Sequence, residues 1–332
     1  MSEYLTSTTL IEHIKREGMV PTAQQTFSDD DFLAIANQEI KIGMLPTIMQ
    51  FHEEYYAVDS DAVTIAASTS KYGIPYRAVG GKLRELFYQD SNSNLRAMSR
   101  VSPDNRPYYQ QSNFQNNFLF FFLEGNDVVL TPPVGASPSG SLVFSYYFRP
   151  NNLVDESRVG TITGIAVGAS TTVFTLDNFP QNLATFYQDG VAQTAFSVSS
   201  KLDILQRKPG HKTINFDITP TAIDTVAKTV TFANADVSSL GIIVGDIVAF
   251  AGECIIPQIP TDLHPMLVQR VVQRVMQALG DAQGYQIASS KVAEMEKNSG
   301  ALVDNRTEGS PAKANNINGL MKSSKIGRRW HE

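Results

Sequence analysis

The first place to look for chemistry is His52-Glu53-Glu54-Tyr55-Tyr56. A histidine followed by a glutamate opens the HExxH zinc signature, in which two imidazoles one helical turn apart hold the metal and the glutamate is the base. Here the fifth position is Tyr56, so the second imidazole is missing. The five histidines, at 13, 52, 211, 264 and 331, are too scattered to suggest a local metal site. Gly80-Gly81-Lys82 has the residue types of a phosphate-binding loop but not its spacing, and it reads as a strand bulge or turn. Cys254 is the single cysteine, with no adjacent basic residue and no second thiol, which predicts a buried, inert group. Asp29, Asp30 and Asp31 follow Ser28, where they complement the positive end of a helix. The residues thus predict no catalytic group, no metal and no cofactor, and the expectation is a protein that is not an enzyme.

A different kind of site is predicted in residues 309–332. They carry Lys313, Lys322, Lys325, Arg328 and Arg329 against Glu332 alone, a balance of +4 in a chain whose net charge is −6. The other residues therefore hold 22 basic and 32 acidic side chains, a balance of −10. Leu320, Met321, Ile326 and Trp330 are apolar groups that a merely solubilising segment would not need. Short apolar anchors amid Lys and Arg suit a segment that orders on a partner's surface. The acidic remainder argues against tight nucleic-acid binding, since phosphate contacts need clustered cations.

The elements that must position such a segment begin with helices. Thr9 and Glu12 have the spacing of a capping box before the apolar face of Leu10, Ile11 and Ile14, with Gly18 as a stop. Ser28 predicts a cleaner start, with Phe27 and Phe32 at the two positions of a hydrophobic staple. Pro46 opens a third helix. After Asp61 come short β-branched and aromatic runs separated by Gly, Pro, Asn and Ser, among them "YRAVGGKLRELFYQ", "DVVLTPP" and "SLVFSYYFRP". From Arg158 to Glu253 a second β texture has turns roughly every 8–12 residues, the spacing of a small barrel or sandwich. Asp189-Gly190 and Pro209-Gly210 are strong turn dipeptides there. Helical texture returns at Thr261, where Leu267, Val268, Val271, Val272, Val275 and Met276 form a broad apolar stripe.

The predicted fold class is α+β. A helical bundle is built from the N- and C-terminal helices, with a β-rich region, an inserted small β barrel or sandwich, and an extended C-terminal tail. The expected spans are 1–60 and 258–308 for the helices, 61–157 for the β region, 158–257 for the inserted module and 309–332 for the tail. With 332 residues, 42% hydrophobic and 18% charged, the chain can bury several cores. One cysteine permits no intrachain disulfide and fits a reducing cytosol. The N-terminal "MSEYLTST" lacks the layout of a secretory signal, and no apolar run nears the ~20 residues that cross a bilayer.

The string "IPQIPTDLHPMLVQRVVQRVMQALGDAQGYQIASSKVAEMEKNSGALVDNRTEGSPAKANNINGLM" resembles the C-terminal part of head–tail adaptor (head-completion or neck) proteins of tailed bacteriophages. So do "EGNDVVLTPPVG" with "SLVFSYYFRPNNLV", and the opening "LIEHIKREGMVP" with "TFSDDDFLAIANQEIKIGMLPTIM"; together these cover about two-thirds of the chain. The motifs are packing patterns, and residues 158–253 fit less specifically. The resemblance implies a ring, usually of twelve copies, docked beneath the portal protein. It extends the channel for dsDNA, which passes without specific binding, and offers a platform to the next neck or tail protein. It also implies that the C-terminal segment reaches into the portal. Lys313, Leu320, Met321, Lys322, Lys325, Ile326, Arg328, Arg329 and Trp330 are then the portal-binding residues. The expected location is the virion neck, after assembly in the host bacterial cytoplasm, with no membrane. The alternative is a receptor- or carbohydrate-binding virion protein acting through the inserted module, where aromatic residues of "NFPQNLATFYQDG" could stack on sugars. A cell-wall hydrolase, which needs two convergent carboxylates, is a distant third.

Overall fold

A computed structural model describes residues 5–20, 26–109, 120–135, 139–181, 183–188, 190–207, 212–237 and 240–303. Helix α1 (Ser7–Glu17) is capped by Thr6, whose hydroxyl accepts the Thr9 N–H at 3.4 Å. The helix thus starts three residues before the Thr9 cap expected from spacing, because Thr9 serves as the cap's partner. Helix α2 (Asp29–Glu39) starts as expected. Ser28 Oγ accepts the Asp31 N–H at 3.2 Å, and Asp31 Oδ2 accepts the Ser28 N–H at 2.8 Å. The Phe27 and Phe32 rings meet at 5.8 Å as a staple. A π-helical turn over Ile40–Met44 then leads into α3 (Leu45–Phe51), with Pro46 in its first turn.

Among the described residues that follow are nine strands and a short α-helix. They are β1 (Ala57–Asp59), β2 (Val63–Thr64), β3 (Lys71–Gly73), β4 (Ala78–Gln89), β5 (Leu95–Ala97), β6 (Ser99–Arg100), α4 (Arg106–Tyr109), β7 (Phe120–Glu124), β8 (Asp127–Thr131) and β9 (Ser141–Phe148). One sheet has the order β1-β9-β4-β5, with β2 also on β9; the other runs β3-β8-β7-β6. Gly80 and Gly81, both at positive φ, lie where the register of β4 on β9 shifts, so the glycine pair is a bulge. Gly125 at φ 62 turns the β7–β8 hairpin, in which Glu124 faces Asp127.

Strand β10 (Asn152–Leu153) leads into β11 (Val159–Val167), β12 (Thr171–Leu176), the hairpin β13 (Phe186–Gln188) and β14 (Val191–Gln193), then β15 (Leu202–Leu205) and β16 (Thr213–Ile218). After them come β17 (Ala222–Asp224), β18 (Thr229–Ala233), the one-turn α5 (Asn234–Val237), β19 (Ile247–Phe250) and β20 (Glu253–Cys254). Seven of these form an antiparallel sheet, β16-β15-β19-β11-β12-β18-β17, curled as a half-barrel. Its own core holds Phe174, Phe232, Leu202, Ile204 and Val248. The two connections to this sheet lie side by side, because β10 pairs with β20 in parallel. The Asp189-Gly190 and Pro209-Gly210 turns expected here involve Asp189, Pro209 and Gly210, which lie outside the described residues.

Helix α6 (His264–Leu279) then buries Leu267, Val268, Val271, Val272 and Val275. It stops at Gly280, whose φ of 75° is left-handed. Asp281 accepts the Gly284 N–H at 2.9 Å and starts α7 (Ala282–Val303). One core joins Leu10 and Ile14 of α1, Phe32 and Ala36 of α2, Ile48 of α3 and the α6 stripe. Val159, Leu205, Ile247 and Ala249 of the seven-stranded sheet belong to that same core. A third core between the first two sheets holds Leu86, Leu130, Phe144 and Tyr146. The fold is therefore mixed α+β. Among the described residues no helix is long and apolar enough to cross a membrane.

Candidate functional site

All nine residues expected to bind a partner, from Lys313 to Trp330, lie outside the described residues. The helical surface that precedes them in sequence is built by α2, α6 and α7. The α2–α6–α7 contact is a polar seam. Glu39, buried at the end of α2, accepts Arg274 Nε at 2.7 Å and Arg270 Nη1 at 3.2 Å. Arg270 also pairs with Glu296 of α7, and Gln269 donates to Glu17 of α1. Gly43 in the π-helical turn leaves room for this seam, since a Cβ there would collide with the Arg270 guanidinium. Helix α7 buries Ala288 and Val292 but exposes Ile287, so it is held on α6 by a narrow apolar edge and by this charge pair.

A buried charge network lies where the first sheet meets the half-barrel. Arg77, just before β4, is buried. Its Nη2 donates to both Asp203 oxygens at 2.8 Å and to Asp217 Oδ1 at 3.0 Å. Its Nη1 donates to Asn151 Oδ1 at 3.0 Å and its Nε to Tyr76 OH at 3.1 Å. Asp203 also accepts the Gly252 and Asp217 N–H groups and the Asn151 amide, at 2.8–3.0 Å. Asp217 sits at φ 58, a left-handed conformation that Asp tolerates, and this turns both its N–H and its carboxylate into the network. Burial pushes the Asp203 carboxyl up, against the opposing pull of Arg77 and the two backbone N–H groups. Burial likewise pushes the Tyr146 hydroxyl up to about 12. Removing one member of such a pair strands the other and costs roughly 3–5 kcal/mol. Both Asp203 oxygens are engaged by several donors at once, so the network has the chemistry of a fastening.

Beside the network opens a cavity of about 70 Å³, lined by Tyr55, Tyr56, Phe148, Pro150 and Phe216, with Lys212, Thr213 and Gln258 as its polar members. Gln258 ties it to both sides, donating to Thr213 at 2.9 Å and accepting the Asn151 N–H at 2.7 Å. A second cleft, between Leu83–Leu86 and Phe121, separates the first two sheets.

The other chemistry-bearing residues are placed as follows. The His52 ring packs edge-on to Tyr55 at 5.8 Å. His13 shares a nitrogen contact with Arg16 at 2.8 Å, and His264 is buried at the start of α6. His211 and His331 lie outside the described residues. The Cys254 thiol is buried, donates to the Ile256 carbonyl at 3.2 Å, and is pushed well up by burial. Among the described residues no group of three metal-ligating side chains comes together. In the stretch considered for sugar stacking, Phe179 is core and Phe186 packs on Phe250, leaving Tyr187 as the exposed ring. Sequence reading missed the Arg77 network, whose partners are 126 and 140 positions away. One signal was available: Asp203 is a charge inside the apolar run Leu202–Leu205, all of it buried. The chain matches no protein-family profile and no curated protein.

Proposed function

We propose that the chain is a structural virion protein of a tailed bacteriophage. In this reading it is a head–tail adaptor that assembles as a ring on the portal, extends the DNA channel and receives the next neck or tail component. The observation that carries this is the shared core of α1, α2, α3 and α6, with α7 laid along α6. Helices from both sides of the chain thus form one body. We read that body as a helical bundle with the half-barrel of 158–257 inserted into it, in line with the sequence resemblance. The saturated network at Arg77 supports a load-carrying rather than a reactive role, since its groups are spent on one another.

In this proposal Lys313, Lys322, Lys325, Arg328 and Arg329 meet acidic or carbonyl-rich portal surface, and Leu320, Met321, Ile326 and Trp330 are the apolar anchors. One such arm binds weakly, because ordering it offsets much of the gain. A ring of arms engaged together holds through effective concentration. The test is mass photometry of the purified protein, alone and with its portal. A discrete cyclic assembly on the portal is expected from the full chain, and none from a chain truncated after Arg306 that keeps its helical circular dichroism. Full docking by the truncated chain overturns the proposal.

A further inference from the structure

The two terminal strands of the half-barrel carry complementary features. At the β16 end is the aromatic cavity, and Lys212, next to Thr213, is exposed and makes no ion pair among the described residues. At the β17 end, the β17–β18 turn presents Val226, which is 93% exposed. A single exposed valine means little by itself. This one stands on a pre-ordered tip. Asp224 Oδ1 accepts the N–H groups of both Val226 and Ala227 at 2.9 Å. Lys228, at φ 51, turns its ammonium back to the Asp177 carbonyl at 2.8 Å. Asp224 is thereby left as the acidic group beside the apolar tip, and a rigid tip loses little entropy when it docks.

We infer that these features meet between copies of the chain. The Val226 tip of one copy enters the aromatic cavity of the next, and Asp224 reaches Lys212. A cavity of about 70 Å³ has room for a few waters or one aliphatic tip. Knob and hole are different patches on one molecule, so the contact is heterologous and repeats head to tail, closing into a ring if its rotation allows. The inference supplies a subunit contact for the ring proposed above and rests on that reading only for its biological setting, since it requires no portal.

The first experiment is sedimentation velocity on the free full-length protein up to about 1 mM, the range in which a single small contact registers. Concentration-dependent association is expected. It should weaken about tenfold or more in Val226→Asp and in Lys212→Glu, whereas Lys212→Arg, which keeps the charge, should leave it in place. The second experiment oxidises Val226→Cys/Lys212→Cys protein, the native Cys254 being buried. A reducible ladder of dimers, trimers and larger species is expected, and an equimolar mixture of the two single variants should stop at the dimer. A wild-type chain that stays monomeric, or association indifferent to these changes, overturns the inference. So does a disulfide that closes within one chain. A cavity filled by another part of the same chain produces the monomeric outcome. Portal docking is measured separately, so loss of the knob contact with docking intact sinks this inference alone.

Discussion

His264 shows how one residue's surroundings set a measurable property. It lies at the first position of α6, buried beside the Ile255–Ile259 run. Burial holds its imidazole below the ordinary value of 6.5, and the Pro257 and Ile259 backbone and Asp262 favour the charged form only secondarily. The folded chain therefore refuses a proton that the unfolded chain accepts. Its contribution to stability is complete above about pH 6.5 and is lost progressively as pH falls below that value. Asp203 and Glu253, whose carboxyls burial raises, act with the opposite sign, nearer the carboxylate range. The midpoint of thermal unfolding should accordingly drop between pH 7 and pH 5, and His264→Gln should flatten that dependence. Superimposable pH profiles for variant and parent would remove His264 from the account. Nothing in the sequence pointed to this residue, because an isolated histidine before a proline carries no signal of its burial.

At the scale of elements, legibility followed contiguity. The start of α2 could be read because its cap, three carboxylates and staple stand within six residues of one another, and each acts on backbone that it adjoins. The glycine bulge in β4 was readable for the same reason. The α1 cap was misplaced because Thr6 and Thr9 are chemically alike, and only the position of the first hydrogen-bonded turn distinguishes them. The π-helical turn was invisible, since no local motif marks it and Arg270, which packs against its Gly43, stands over two hundred positions away. That turn invites a test. In Gly43→Ala the new methyl displaces the Arg270 guanidinium from Glu39, an overpacking cost of roughly 1–3 kcal/mol. Combining it with Arg270→Met, which removes the obstructed group, should recover part of the loss. Equal melting temperatures for Gly43→Ala and the parent would show that the seam is loose.

For the whole molecule, the boundary of the half-barrel is both sharp and sealed. It is sharp because Val159 faces Ala249 across β11 and β19, so a short Gly/Ser linker can replace residues 160–248. It is sealed because Arg77 is neutralised by Asp203 and Asp217, and because Leu205 and Ile247 complete the helical core. The deletion should therefore leave helical circular dichroism in place but lower the unfolding temperature, and Arg77→Met should restore part of the loss by removing a stranded charge. An unchanged unfolding temperature would make the half-barrel a mere appendage. The two textures were visible in the sequence, whereas the seal, made of residues 126 positions apart, was not. The common core of α1 and α6 has a mechanical consequence as well. Tension applied between α1 and the chain beyond Val303 runs along α7 and α6 and across their contacts with α1 and α2. None of the sheets among the described residues lies in series with that path, so a sudden pull would be borne by helices in shear while the strands stay slack.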